Sequence, residues 1–397
     1  MKDLLHIRYY EKLLEQANNE LVQKAKEEGG IAVGFTCYYL PEPLLNLDSA
    51  FSVRLRAPGT GSLDISQYYM SSFVCGYARA IFERAFEGGF NFLDFYASSD
   101  TCQQMVRVIE NIRELDLISS PGFSYGIIDA PLKVSEHGRK LYSQQIRDHI
   151  LSPLHERYGI DISDESIRRA VLEHNEMCAL FEEISNFRKS ENPIITPREF
   201  HILCLVSYAC PSSLILPYLR ETLEDLRQRR PDAVSPWRAR IVVVGGELDD
   251  YVFSEILENC RCYVAADRYC FGSFPGRQQI PLTDSTPALD QVCDFYLESN
   301  QCPRFMSQDK IIQRRETVRD LVREYKADGI LYEQPKFCDF WGYERTLAVQ
   351  VMNEEYGIPT LGIDREYVVS GSGQLSTRIQ AFMESLEIKK IRRTGSA

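Results

Sequence analysis

The chain has 397 residues, in which 57 Asp and Glu outnumber 45 Lys and Arg to give a formal net charge of −12. This length predicts two or three domains of ordinary size, each able to bury a core. The acidic balance argues against nucleic acid and anionic membranes as partners. The expected partners are therefore small molecules or other proteins.

The N-terminal stretch, residues 1–30, is charged and amphipathic and lacks the apolar segment of a secretory signal. No apolar run of the sequence approaches the length that crosses a bilayer. A cytoplasmic location is therefore expected. In the reducing cytosol structural disulfides are disfavoured, so the 12 cysteines are predicted to be free thiols or metal ligands.

Alternating strand and helix patterns predict an α/β protein with two lobes. Residues 1–30 predict a single N-terminal capping helix that ends at Gly29-Gly30, and residues 31–137 predict a first lobe with a four-stranded parallel sheet. Residues 138–235 are typical of a helical connector, and residues 236–397 predict a second lobe of the same plan. The predicted strands are 31–35, 52–55, 92–97, 124–130, 239–244, 261–265, 329–332 and 359–363.

Four cysteines directly follow predicted strands or open predicted helices, namely Cys37, Cys75, Cys102 and Cys338. Ligands of open parallel sheets bind beyond the carboxyl ends of the strands, so facing sheet edges would bring these thiols together across a cleft. Soft thiolates select iron–sulfur clusters, zinc or copper(I). At Cys75 the helix dipole is expected to lower the thiol pKa. The alternative is that each cysteine is a small buried hydrophobic residue.

The remaining cysteines are interpreted as structural. Cys260 and Cys262 alternate on a strand with Cys270 nearby, which is compatible with a second metal site, but no matching ligand set accompanies them. The same structural interpretation applies to Cys178, Cys204, Cys210, Cys293 and Cys302.

Several motifs together resemble one protein family. They are GFTCYYLPE (34–42), SFVC (72–75), TC (101–102), GELD (246–249), AAD (265–267), KFCD (336–339), GIPT (357–360) and GQLSTR (373–378). Their order and spacing over nearly the whole chain are similar to the 2-hydroxyacyl-CoA dehydratase and ATP-dependent benzoyl-CoA reductase family, D-component type. One departure is Gln103, where the family commonly has an acidic residue.

The resemblance implies two Rossmann-like lobes that hold one [4Fe–4S] cluster in the cleft between them. It implies a heterodimer with a related second subunit, an acyl-CoA substrate, and electrons from a separate ATP-hydrolysing iron–sulfur activator. In that reaction one electron converts the thioester to a ketyl radical that expels the hydroxyl group, and the electron is returned. The sequence has no phosphate loop, so ATP is expected only on the activator.

The family motifs also imply roles for individual residues. Cys37, Cys75 and Cys338 match the ligand motifs, which leaves one iron open, and Cys102 matches a fourth cysteine that is either a hydrogen-bonding neighbour or an alternative ligand. Glu42 is a candidate proton-transfer group, or else a carboxylate at a helix N-terminus.

Two other functions stay open at this point. The chain could be part of an aromatic acyl-CoA reductase, or an electron-relay protein whose partner holds the substrate. The run Gly371-Ser372-Gly373 could cradle a CoA phosphate, wall the cluster pocket or simply begin the last helix.

Overall fold

Two parallel sheets form the framework of this chain. A computed structural model describes residues 1–273, 277–368 and 372–394, so Gly371 lies outside the described residues. The strands are β1 Ile31–Phe35, β2 Ala50–Arg54, β3 Phe95–Ser99, β4 Ser124–Ile128, β5 Ala239–Val244, β6 Cys262–Arg268, β7 Gly329–Pro335 and β8 Thr360–Arg365. The sheet orders are β2-β1-β3-β4 and β6-β5-β7-β8. The predicted α/β fold with two Rossmann-like lobes is confirmed.

Helices surround both sheets and fill the segment between them. They are α1 Ile7–Leu14, α2 Glu20–Glu27, α3 Ser66–Tyr69, α4 Gly76–Phe86, α5 Gln103–Glu114, α6 Glu136–Ile146, α7 Ser152–Tyr158, α8 Asp164–Asn186, α9 Pro197–Ala209, α10 Ser212–Gln228, α11 Val252–Asn259, α12 Ala288–Glu298, α13 Gln308–Glu324, α14 Asp339–Glu354 and α15 Ser372–Thr394. None of the helices in the described ranges is long and apolar enough to span a membrane.

The N-terminal stretch forms two helices, so the expectation of one capping helix is wrong. The second helix begins after Asn19, because the Oδ1 of this side chain accepts hydrogen bonds from the backbone N–H groups of Leu21 and Val22, each at 3.1 Å. An asparagine in this position satisfies N–H groups that have no partner within the helix, and so favours a new helix start.

Helix α9 ties the helical segment to both sheets. It is buried along its length and contacts β2 of the first sheet and β6 of the second. A helix that is apolar on all sides is stable only inside a core. The side chains of Thr196 and Glu199 form a capping box at its first turn, and Pro197 is its first residue.

The two sheets share one topology that positions a site. Strand β1 pairs with β2 on one side and β3 on the other, and β5 likewise lies between β6 and β7. The chain order reverses between β1 and β3 and between β5 and β7. Connections leave the sheet in opposite directions there, which opens a crevice beyond the carboxyl ends of the strands.

A buried polar hub holds the two lobes together. The Asp249 side chain accepts hydrogen bonds from the backbone N–H of Ala57 at 3.0 Å and from the hydroxyl of Tyr367 at 2.7 Å. Arg56 Nε donates to the Asp249 carbonyl at 2.6 Å. Next to this hub, Gly76 lies so close to Tyr367 that an added Cβ would be 2.3 Å from the Tyr367 Cβ. The lobes therefore meet with no room for one methyl group.

We predict that Gly76→Ala lowers the free energy of unfolding by about 1–3 kcal/mol, because the obstacle is the root of a buried side chain that cannot rotate away. Gly61→Ala is the matched control, since a Cβ at Gly61 meets nothing within 4 Å. Urea titration of both variants measures the difference. Equal stability of the two variants would show that the close approach of the lobes is not required.

Candidate functional site

A cavity of about 110 Å³ lies between the facing carboxyl edges of the two sheets. This volume is well above the roughly 10–15 Å³ that a single water needs. Six cysteines line it: Cys37, Cys75, Cys102, Cys270, Cys302 and Cys338. The structure thus brings the four cysteines selected from the sequence to one cavity, together with two that were interpreted as structural.

Three of these cysteines occupy equivalent positions at the start of a helix. Cys75 is the N-cap residue of α4, Cys102 of α5 and Cys338 of α14. The first two helices belong to the first lobe and α14 belongs to the second. The N-terminal backbone N–H groups of three helices therefore converge on the cavity, which is an arrangement that favours negative charge.

Burial opposes that preference at every thiol of this set. It raises the pKa of Cys75 to about 12 and also raises the pKa values of Cys102 and Cys338, while N–H groups of the first helical turns act in the opposite direction. The helix N-terminus thus acts in the expected direction, but burial outweighs it and the net pKa of Cys75 is raised. Desolvation of the thiolate costs more free energy than its hydrogen bonds with the N-terminal N–H groups contribute.

The three N-cap thiols also lie near one another. The Cys102 thiol raises the pKa of Cys75, and the thiols of Cys75 and Cys102 both raise the pKa of Cys338. Cys37 has different surroundings, because it follows β1 and its Sγ lies 3.4 Å from Thr101 Oγ1. That hydroxyl is in turn 2.8 Å from Ser99 Oγ. Cys37 is thus held against the segment that joins β3 to α5, next to Cys102.

The thiols that line the cavity are soft donors of the kind that hold an iron–sulfur cluster. Within the described ranges, no group of three or more His, Cys, Asp or Glu residues could hold one metal ion. A single zinc ion needs sulfur ligands about 2.3 Å from one point, whereas the thiolates of an iron–sulfur cluster bind different irons and so lie farther apart. Apolar side chains complete the walls: Met105, Pro335, Phe340 and Trp341.

Glu247 contributes a carboxyl group to this cavity, although the sequence singles it out only as part of a motif. It follows β5, and its Oε2 lies 3.4 Å from Arg54 Nη2. Burial raises the pKa of Glu247 to about 7, while Arg54 acts in the opposite direction. A carboxyl group with this pKa is suited to take up or release a proton near neutral pH. Its place directly after a strand is the sequence signal that could have found it.

Glu42 lies elsewhere. It begins a short 3₁₀ turn, and its Oε2 is 3.3 Å from Arg277 Nη1. The two residues line a separate small cavity with His174. Burial raises the pKa of Glu42, and the cation of Arg277 opposes the rise. The structure therefore does not bring Glu42 to the cysteine cavity.

Cys270 and Cys302 complete the cysteine lining of the cavity. Cys270 lies two residues beyond β6, so the same position at a strand end that selected Cys37 could have selected it. Cys302 lies in the connection between α12 and α13, where no strand precedes it and the sequence gives no signal. Only the folded connection brings its thiol close enough to Cys37 to raise the pKa of Cys302.

We predict a pH-dependent stability term from Glu247, measured on metal-free protein under reducing, oxygen-free conditions. The folded pKa of about 7 exceeds the ordinary value of 4.5, so between these values folding takes up a proton. The stabilisation of the folded state by this proton is fully present below about pH 4.5. It is lost as the pH rises through 7, which lowers the free energy of unfolding by up to about 3 kcal/mol. Relative to Glu247→Gln, the natural chain should lose that stability over this range. The exposed Glu27→Gln variant should show the same pH dependence as the natural chain. Parallel curves of unfolding free energy against pH for all three proteins would contradict the assignment.

Comparisons with known proteins agree with this architecture. Residues 37–386 match the family model described as 2-hydroxyglutaryl-CoA dehydratase, D-component. The chain is similar to the (R)-phenyllactyl-CoA dehydratase beta subunit of Clostridium sporogenes, with 22% identity over 95% of this chain and 97% of that protein. It is similar to the beta subunit of (R)-2-hydroxyglutaryl-CoA dehydratase of Acidaminococcus fermentans, at 23% over 92% and 95%. A benzoyl-CoA reductase subunit of Thauera aromatica is 19% identical over 81% and 82%. The chain therefore belongs to the 2-hydroxyglutaryl-CoA dehydratase D-component family.

Proposed function

We propose that this chain is the [4Fe–4S]-binding subunit of a 2-hydroxyacyl-CoA dehydratase, a lyase that removes water from a 2-hydroxyacyl-CoA. The observation that carries the proposal is the thiol-lined cavity between two lobes in a member of this family. The dehydratase names of relatives that match almost the whole chain support the reaction class.

Cys75, Cys102 and Cys338 are the three proposed cluster ligands. Their common position at a helix N-terminus and their mutual proximity favour this set over the Cys37, Cys75 and Cys338 set that the motifs implied. Cys37 then becomes a neighbour that contacts Thr101. Either set supplies three thiolates and leaves one iron open, as in metal sites that bind substrate or water.

The chain's own residues prepare the site in two ways. The buried thiols stay protonated in the metal-free protein, so binding of a cationic cluster releases their protons and depends on pH. Glu247 keeps a proton next to the cavity near neutral pH. When bound, the cluster would supply one-electron transfer at low potential, which the family resemblance links to a ketyl radical on the substrate.

The proposal includes three partners. The names of the relatives, which are beta subunits of dehydratases and a subunit of a reductase, support a related second subunit. The absence of a phosphate loop in the sequence supports a separate ATP-dependent iron–sulfur activator. The dehydratase relatives are named for CoA esters, so an acyl-CoA is the proposed substrate.

A second candidate is a role in an aromatic acyl-CoA reductase, which the similarity to the Thauera aromatica protein favours. The two candidates share the cavity and differ in the fate of the electron. If this chain only relays electrons, in a dehydratase or in a reductase, the partner subunit would hold the substrate.

We predict that anaerobically loaded protein contains about four irons per chain. Cys75→Ala, Cys102→Ala and Cys338→Ala should each lose most of this iron, because each removes a thiolate ligand. Cys37→Ala should retain it, as should the control Cys204→Ala, whose thiol is buried inside α9. Iron loss in Cys37→Ala with retention in Cys102→Ala would instead support the set that the motifs implied. A metal-free natural chain after reconstitution would contradict the cluster.

Electron counting separates the two reactions. With the partner subunit and activator present, the dehydratase should form many product molecules per electron supplied, since the electron is returned in each cycle. Phenyllactyl-CoA, named for the Clostridium sporogenes relative, is a suitable test substrate. One product per fixed number of electrons, with an aromatic acyl-CoA as substrate, would identify a reductase.

A further inference from the structure

The side chain of Gln104 joins the segments that carry the three N-cap cysteines. Gln104 is the second residue of α5 and lies two positions after Cys102. Its Oε1 accepts the backbone N–H of Cys75 at 2.7 Å. Its Nε2 donates to the carbonyl oxygen of Phe337, the residue before Cys338, at 2.8 Å. One side chain thus contacts the backbone at or next to both of the other cysteines.

One of these two hydrogen bonds lies within the first lobe, and the other crosses the cleft between the lobes. Cys75 and Gln104 belong to the first lobe, and Phe337 belongs to the second. Phe337 has φ of +67°, a left-handed conformation that is unfavourable for an aromatic residue unless its surroundings hold it. Its carbonyl is held by Gln104, and its ring lies edge-on to Phe73 with centroids 5.3 Å apart. The approach of Cys338 to the cavity therefore depends on a conformation that the other lobe stabilises.

Glutamine suits this position because both ends of its amide are used. The amide oxygen accepts a hydrogen bond and the amide nitrogen donates one. A glutamate could keep the bond from the Cys75 N–H but has no proton for the Phe337 carbonyl when ionised. A methionine has the same reach and can form neither bond of comparable strength.

We propose that Gln104 is a positioning residue that sets the placement of the Cys75, Cys102 and Cys338 thiols across the cleft. The inference rests on the proposed cluster for its effect on iron, but the two hydrogen bonds exist in the metal-free chain and are testable there. Gln104 is half-buried, whereas its neighbour Gln103 is exposed. Gln103→Met is therefore a matched control on the same helical turn.

Amide hydrogen exchange of the metal-free protein tests the bonds directly. In Gln104→Met the Cys75 amide should exchange about tenfold faster, because its hydrogen-bond acceptor is lost. The Cys338 amide, which donates to the Pro335 carbonyl at 2.9 Å, should also exchange faster as the turn around Phe337 loosens. Gln104→Glu should keep protection at Cys75 and lose it at Cys338. Protection in Gln104→Met equal to that in Gln103→Met would overturn the inference.

Iron release from loaded protein tests the consequence. Gln104→Met should release iron to a chelator about tenfold faster than the natural chain and Gln103→Met, with Gln104→Glu in between, because weaker hydrogen bonding lets the ligand segments separate. The electron paramagnetic resonance signal of the reduced cluster should change in the same order, which a loss of global stability alone would not produce. If the Gln104→Met protein fails to fold, Gln104→Glu carries the comparison.

The two proposals fail in different ways. A natural chain that takes up no iron contradicts the cluster, while the exchange data still decide whether Gln104 braces the cleft. Normal iron uptake with release and resonance signals unchanged in both Gln104 variants would overturn the role of Gln104 and leave the cluster in place.

Discussion

The close apposition of two parallel-sheet edges is the constraint on which the rest of this structure depends. The hub at Asp249 locks the lobes together, and Gly76 lets their backbones approach without a side chain between them. Because helices and loops leave each sheet at its carboxyl edge, this apposition makes one cavity from two half-sites. Neither lobe alone contains the full set of thiols that line it.

Desolvation then determines the chemistry of the cavity. At Cys75 the helix N-terminus and burial act in opposite directions on the pKa, and burial has the larger effect. The same balance leaves Glu247 with a pKa of about 7 despite the nearby Arg54. With the thiols protonated in the absence of metal, a cationic centre would bind there by releasing those protons.

The sequence predicted the fold and the general location of the candidate site well. Continuous β-branched runs such as Ala239–Val244 marked strands, and cysteines after strand ends marked the cavity. It did less well with individual roles. Glu42 follows Cys37 closely along the chain, yet it pairs with Arg277 in another cavity. Proximity in sequence is a poor guide here because Glu42 begins a separate 3₁₀ turn, from which its side chain reaches Arg277.

The two-lobe α/β plan can be predicted from the sequence alone, since strand and helix periodicity are local properties of the chain. The cysteines that follow the predicted strands are visible in the sequence as well. The tertiary structure shows which thiols are neighbours: three of them meet at helix starts, and Cys37 lies against Thr101, the residue before Cys102. It alone revealed Gln104 as a link across the cleft, because its partners Cys75 and Phe337 are distant in sequence and meet only when the lobes pack.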